Sequence, residues 1–519
     1  MYLTMKHIGK ILISLLVISG LFCSCSGLLD IDQHGATSPE TFYKTDEEAE
    51  EAITAVYAKF AGIYYNYYFV KNLLSDDFWC GGGGRGDNAD FEKLNEFTFS
   101  ADHPIIRDLF KNYYEVLYLS NIVLKYVPDG SPVQKRARAE ARVFRAYIYI
   151  DLISLWGTPP LVDKPLEPSE YKQPNGDPEA LWSLVETDLK DAIASGSLEE
   201  KSGVNDNSSY RVKLQFAKAL LGKAYVFQQK WSDACTILDD MIDDGKYDLY
   251  RGDYADILMY NAENNCESLF EVNRLNDPNN AFTNWSFFSA MVGWRGDRMS
   301  ISSGVYPNCW GFCNPKKDLY DAFVAVEGKD GYRLNATMKS FDKLLAQGDK
   351  ILDGKEMYDH EGYFWWKNRV LADEMILGGF FSSHNNYRYM RYAEVLLLAA
   401  EAHVKGGDKA KAANYLNAVR TRAHLSELGS VTMDDVMTEK RLELCGEGVR
   451  FQDMQRWGIA ADRLKDQGKQ IPWFASNGTT RWEVYNKSLY GYKTGKHELL
   501  PFPETEVTLN PNVKQNPNW

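Results

Sequence analysis

The stretch RARAEARVFRAYIYIDLISLWGTPP, Arg136 to Pro160, limits the fold more than any other. Arg138, Arg142 and Arg145 fall on one stripe of a helix. Ala137, Ala141, Phe144, Ile148 and Leu152 fall on another, at the three- and four-residue spacings of an amphipathic helix. Gly157, Pro159 and Pro160 then stop it sharply. A helix of this length must lay its apolar stripe on a neighbour, so the chain needs several such helices side by side.

Those neighbours come in pairs with a shared spacing. Leu221, Gly222 and Tyr225 are followed, nine residues after Tyr225, by Ala234 and then Leu238; Leu397 and Glu401 are followed, nine residues on, by Ala410. LGKAY and the Ala that follows match half of the tetratricopeptide pattern, in which small residues let two antiparallel helices close up. Residues 104–156, broken at 128–132, form another long pair, and 178–195 part of one more. The expected fold is mostly α, a tetratricopeptide-like helical-repeat scaffold over about 104–260 and 387–460 within one domain, 41–519. Between about 262 and 386 the period breaks into Gly, Asn, Asp and aromatics, and 60–100 reads similarly. Long irregular insertions on a rigid scaffold are where ligand sites sit.

The amino terminus sets the compartment. Lys6 and Lys10 precede an apolar run, Ile11 to Phe22, that is too short to span a bilayer and has the layout of an export signal. Ser24 supplies the small residue before Cys25, whereas bulky Phe22 precedes Cys23. This arrangement resembles a bacterial lipoprotein signal: 1–24 the signal peptide, Cys25 the lipidated first mature residue, 25–40 the tether. A plain secretory signal with two incidental cysteines is the alternative. The remaining 56 basic and 72 acidic residues form no basic surface for nucleic acid. Cys309 and Cys313 lie four apart, and either a local disulfide or free thiols fit that spacing.

A sugar ring stacks its C–H face on a flat aromatic while its hydroxyls need polar side chains. Two clusters offer both. One runs Asp76, Asp77, Phe78, Trp79, then Gly81–Gly84, Arg85, Asp87 and Asn88. The other, residues 281–312, holds eight aromatics with no period to bury them, among them Trp285, Trp294, Tyr306 and Trp310, with Arg295. The candidate ligand residues are Trp79, Asp77, Asn88, Trp285, Trp294, Arg295, Trp310 and Tyr306; packing of the insertion against the scaffold is the competing role for each. Tyr64, Tyr65, Tyr67 and Tyr68 suit either a helix seam or a loop platform. GGGGRGD lacks the Gly-Lys-Ser/Thr of a phosphate loop and reads as a flexible loop. No metalloprotease helix or serine elbow is present, and no carboxylate pair stands out for glycoside hydrolysis, so no enzyme, cofactor or metal site is expected.

Five stretches together resemble one family: AEARVFRAYIYIDLISLWGTPPLV (139–162), RYAEVLLLAAEAHVKGGDKAKAANYLNAVRTRA (391–423), EKRLELCGEGVRFQDMQRWG (439–458), ELLPFPETEVTLNPNVKQNPNW (498–519) and TSPETFYKTDEEAEEAITAVYA (37–58). The family is SusD-like, also called RagB/SusD, and Asn518 stands where a Gly is usual. The resemblance implies an outward-facing outer-membrane lipoprotein of Bacteroidetes that captures oligosaccharide for a SusC-like TonB-dependent transporter, without catalysis. Peptide-binding relatives exist, and a surface glycoside hydrolase is the remote alternative. The matching motifs, with Trp457, Arg450 and Arg145, imply scaffold rather than ligand contacts.

Overall fold

The computed structural model describes residues 42–519, apart from 209, 278, 280–286, 376–382, 486–487 and the side chains of 287–289. Cys25, its leader and Trp285 lie outside the described residues.

The helices outside the insertion that build the scaffold are α1 (Asp46–Ala61), α2 (Tyr64–Leu73), α3 (Pro104–Tyr126), α4 (Pro132–Trp156), α5 (Pro178–Ala194), α6 (Leu214–Phe227), α7 (Trp231–Asp243), α8 (Tyr392–Gly406), α9 (Lys409–Arg422) and α10 (Met433–Leu444). From α3 to α9 each packs on the next, so the scaffold is a row of helix hairpins. α4 is made as its sequence predicts. Ser131 and Gln134 close a capping box, Pro132 opens the first turn, and Gly157 ends the helix at φ +77°, a conformation that favours glycine. Ala137, Ala141, Phe144, Ile148 and Leu152 are all buried. On the other stripe Arg145 grips Asp188 of α5 through two 2.7 Å bonds, and Arg138 donates to the Leu124 and Val127 carbonyls at the end of α3.

The two repeat pairs differ in detail. A Cβ on Gly222 would stand 2.3 Å from Leu238 Cδ2, so α6 and α7 approach as closely as the pattern requires. In the second pair Ala410 is exposed, because α9 starts at Lys409 and its first turn lies beyond the contact. Ala412 and Leu416 make the packing instead.

Short strands join the irregular parts: β1 (Phe78–Gly81), β2 (Ser268–Val272), β3 (Phe312–Pro315), β4 (Glu356–Tyr358), β5 (Tyr387–Arg391), β6 (Gln470–Ala475) and β7 (Thr480–Val484). Antiparallel pairing of β2 with β5 closes the base of the insertion. Below that base lies a buried charge network. Arg422 bridges Glu267 (2.8 Å) and Glu443 (2.6 Å), Arg391 reaches Glu443 (3.0 Å) and Glu447 (2.6 Å), and Arg333 reaches Glu439 (2.7 Å) and Glu443 (3.1 Å). Burial opposes ionisation of Glu443, but Arg422, Arg391, Arg333 and Lys367 outweigh it and hold its carboxyl well below the usual range. The network ties insertion to scaffold.

Tyr67 and Tyr68 are buried in α2 and Tyr64 nearly so, which makes that run a helix seam. Cys309 and Cys313 are buried free thiols, not a disulfide. Among the described residues, no helix is long and apolar enough to cross a membrane.

Candidate functional site

The two aromatic clusters meet. β1 pairs antiparallel with β3, setting Trp79 opposite Asn314 and Gly81 opposite Phe312. A Cβ on Gly81 would lie 2.2 Å from the Gly311 carbonyl, and φ there is +80°; only glycine lets the chain leave the strand here. The Gly-rich loop that follows is anchored, not free. Gly82 N donates to Gly311 O (2.8 Å), Gly83 N to Asp87 Oδ2 (2.7 Å) and Gly86 N to Glu92 Oε1 (2.7 Å).

Arg295 lies under this loop. Its guanidinium donates to the Trp310 carbonyl (3.0 Å) and to Asp297 (2.9 and 3.0 Å), stands 3.5 Å from Asp87, and occupies the space a Cβ on Gly83 would need. It braces the Trp310 backbone against the loop. The Trp310 side chain stays 37% exposed.

Across the loop stands the β6–β7 hairpin. Trp473 and Arg481 face each other across the strands, with the guanidinium 4.5 Å over the indole, and Trp473 Nε1 donates to Glu483 (3.0 Å). Trp482 points to the opposite face. It is 46% exposed and meets Trp79 edge-on at 6.0 Å. Arg85, at the loop tip, lies 4.8 Å over Tyr485 and bonds Glu96 (2.9 Å). The surface thus presents Trp310, Trp482 and Tyr485 around backbone and carboxylate hydrogen-bonding groups.

Beneath it, the Asp359 carboxylate accepts from Gly81 N (3.1 Å), and its other oxygen has no partner among the described residues. Burial pushes this carboxyl up to about 7. Burial pushes neighbouring His360 down to about 3. Lys316 lies 4.5 Å over the Trp79 ring, and burial lowers it to about 8 against the pull of Asp76, Asp359 and Glu361.

Several sequence candidates sit elsewhere than expected. Asp77 is buried on Arg441 (2.8 Å). Asp76, also buried, meets Arg450 (2.8 Å) and Arg463 (2.6 Å), so the two carboxylates share one arginine cluster. Trp294 is core: its ring packs on Phe364 and Trp366, and Nε1 donates to the Trp365 carbonyl (3.0 Å). Asn88 caps a short helix through Phe91 N (3.1 Å). Trp79 is 8% exposed, with Nε1 on Glu361 (2.8 Å), so it backs Trp482 instead of offering a face of its own. Tyr306 is half-buried, its N–H on the Val370 carbonyl (2.8 Å). Arg295 and Trp310 remain at the rim.

The sequence profile of the SusD family matches residues 352–519. SusD-like protein P25 of Formosa agariphila is 25% identical and aligns over 97% of both chains. A laminarin-binding SusD-like protein superposes with a TM-score of 0.76 at 28% identity, covering 92% of this chain and 100% of the other. Surface glycan-binding protein A from Bacteroides thetaiotaomicron, solved with laminarihexaose, superposes at 0.74 and 23% identity over 91% and 99%. The chain is thus similar to SusD-like proteins along nearly its whole length.

The hairpin is the part of the site that sequence reasoning missed. Its signal was present: Asn477-Gly478, a strong hairpin dipeptide, stands between the apolar run Ile471–Phe474 and the alternating TRWEV. Alternation there puts Trp482 and Arg481 on opposite faces, as observed. Among the described residues no cluster of His, Cys, Asp and Glu could hold a metal ion.

Proposed function

We propose that the chain binds glycan at the surface formed by the Gly82–Asn88 loop, Trp310 and the β6–β7 hairpin. The observation that carries this reading is the pair of half-exposed indoles, Trp310 and Trp482, flanking an anchored polar loop. Indole faces stack on sugar rings, while exposed polar side chains beside them, the Asp87 carboxylate among them, meet hydroxyls. Arg295 orients the loop and Trp310; its own donors are taken up by Asp297 and the Trp310 carbonyl. The laminarin-binding relative supports a β-glucan as the first ligand to try. The likeness to SusD-like proteins and the amino-terminal signal support the wider setting: a cell-surface protein tethered at Cys25 to the outer membrane, handing nutrient to a SusC-like TonB-dependent transporter. The chain acts by capture, not cleavage.

The test is calorimetry of residues 26–519 against laminarin oligosaccharides and a panel of other glycans, with each mixture checked for products. Saturable heat with intact sugar, weakened in Trp310→Ala and Trp482→Ala, is expected. One observation favours a peptide instead: β7 is exposed along its whole length and pairs on one side only, leaving an edge that an extended peptide could extend. Heat with peptides and none with glycans would select that reading, and product formation would overturn both.

A further inference from the structure

The free edge of β7 carries backbone groups that the fold leaves unused. Such groups turn alternately to one side of a strand and the other. Tyr485 N donates to Lys469 O (3.0 Å) and Ala475 N to Thr479 O (2.9 Å), so the odd-numbered residues of β7 turn inward to β6. Pro472, opposite Trp482, agrees: its carbonyl accepts from His360 N (3.2 Å) on the far side of β6. Thr480, Trp482 and Val484 therefore turn their N–H and C=O groups outward, where no partner meets them among the described residues. Every residue of β7 is exposed, and the strand has neither bulge nor proline to spoil its edge.

Charge is the usual guard on such an edge. Here the charges are complementary to themselves. Arg481 and Glu483 share one face, on either side of Trp482. Suppose β7 pairs antiparallel with a second β7 about Trp482. Arg481 of each strand then stands directly opposite Glu483 of the other, and Thr480 opposite Val484. Trp482 meets its own copy at the dyad. The outward groups of Thr480, Trp482 and Val484 all fall into hydrogen-bonded pairs, each exchanging both bonds. Arg481 has a donor for the new contact: Nε and Nη2 are on Glu356 (3.1 and 2.9 Å), while Nη1 has no partner among the described residues. An arbitrary extended peptide would gain only the backbone bonds; the strand's own copy adds opposite-charge pairs across the ladder.

We propose that β7 is a self-pairing edge: two copies of the chain join through antiparallel β7 strands centred on Trp482, with Arg481 of each on Glu483 of the other. The inference stands without the glycan reading. Combined with that reading, it sets two Trp482 rings side by side, because residues directly opposite across a ladder share a face. A strand of this length spans about 17 Å, so the contact is small and the dimer reversible, with a Kd on the order of 10–100 µM.

Sedimentation velocity of residues 26–519 over about 1–500 µM tests it. The expected result is a weight-average mass that rises with concentration from one chain toward two. Glu483→Arg and Arg481→Glu should each stay monomeric, because each sets like charges opposite one another. An equal mixture of the two variants should regain the dimer, since every Arg–Glu pair is then restored; misfolded chains could not do this. The mass of one chain throughout the range would overturn the proposal, and heat from that monomer with peptides would give the edge to an extended peptide. Dimers that persist in both variants alone would overturn it too and place the interface elsewhere. So would a mixture that stays monomeric.

Discussion

Two tryptophans in one short stretch met opposite fates. Trp294 is sealed among Phe364 and Trp366, its N–H spent on a carbonyl; Trp310 stands at the rim with over a third of its surface in water. The same contrast holds between the network at the base of the insertion and the loop at its top. At the base, arginines and glutamates saturate one another away from solvent, and their job is to fix position. At the top, Arg295 and Asp87 brace a loop whose flanking rings, Trp310 and Trp482, stay partly in water. An aromatic or charged residue type does not announce a binding role; what decides is whether its neighbours consume it.

Breaking the base should have the largest effect, and on stability alone. Glu443→Ala strips a carboxylate from three buried arginines and should cost about 3–5 kcal/mol, read by chemical denaturation. Whatever remains folded should bind glycan with unchanged affinity. Breaking the top should do the reverse. Trp310→Ala and Trp482→Ala should each cost roughly 2 kcal/mol of binding, about 30-fold, with the denaturation midpoint unmoved. A stability loss in Trp310→Ala would place that ring with Trp294. Gly81→Ala sharpens the contrast because it should disturb fold and site together. Its Cβ meets backbone and its φ is positive, so about 1–3 kcal/mol of stability and part of the affinity should go together.

The smallest effect is in the pH response. His360 titrates near 3 in the folded chain, against about 6.5 unfolded, so it is neutral when folded. The unfolded chain therefore binds its proton first, and stability falls as pH drops below about 6.5. Asp359 acts oppositely. Its raised carboxyl stays protonated in the folded chain up to about 7, so its contribution is present at low pH and fades as pH rises. His360→Gln should remove the first term alone, flattening the acid limb relative to the parent; an unchanged limb would show the ring to be solvated.

The helical half was legible because its signal is periodic: the apolar positions of α4 and the Gly222–Leu238 contact follow from spacing and size. The site was legible in part. Composition pointed to two stretches that β1–β3 pairing brings together, but which ring faces water depends on partners distant in sequence. Glu361 takes Trp79, Arg441 takes Asp77, and no local pattern carries that. Trp482 was overlooked for the opposite reason: it lies near the carboxyl terminus, outside both aromatic clusters, and its hairpin signal went unused.

The pairing of Phe78 with Pro315 has a consequence in time. Helix hairpins close small loops and form early, whereas joining two strands so far apart in the chain waits until everything between has found its place. The surface around Trp310 and Trp482 is thus a late product of folding. A chain that has collapsed but not finished holds its helices and none of its affinity, so glycan binding measured during refolding should lag the return of helical signal and serve as a clock for the last step.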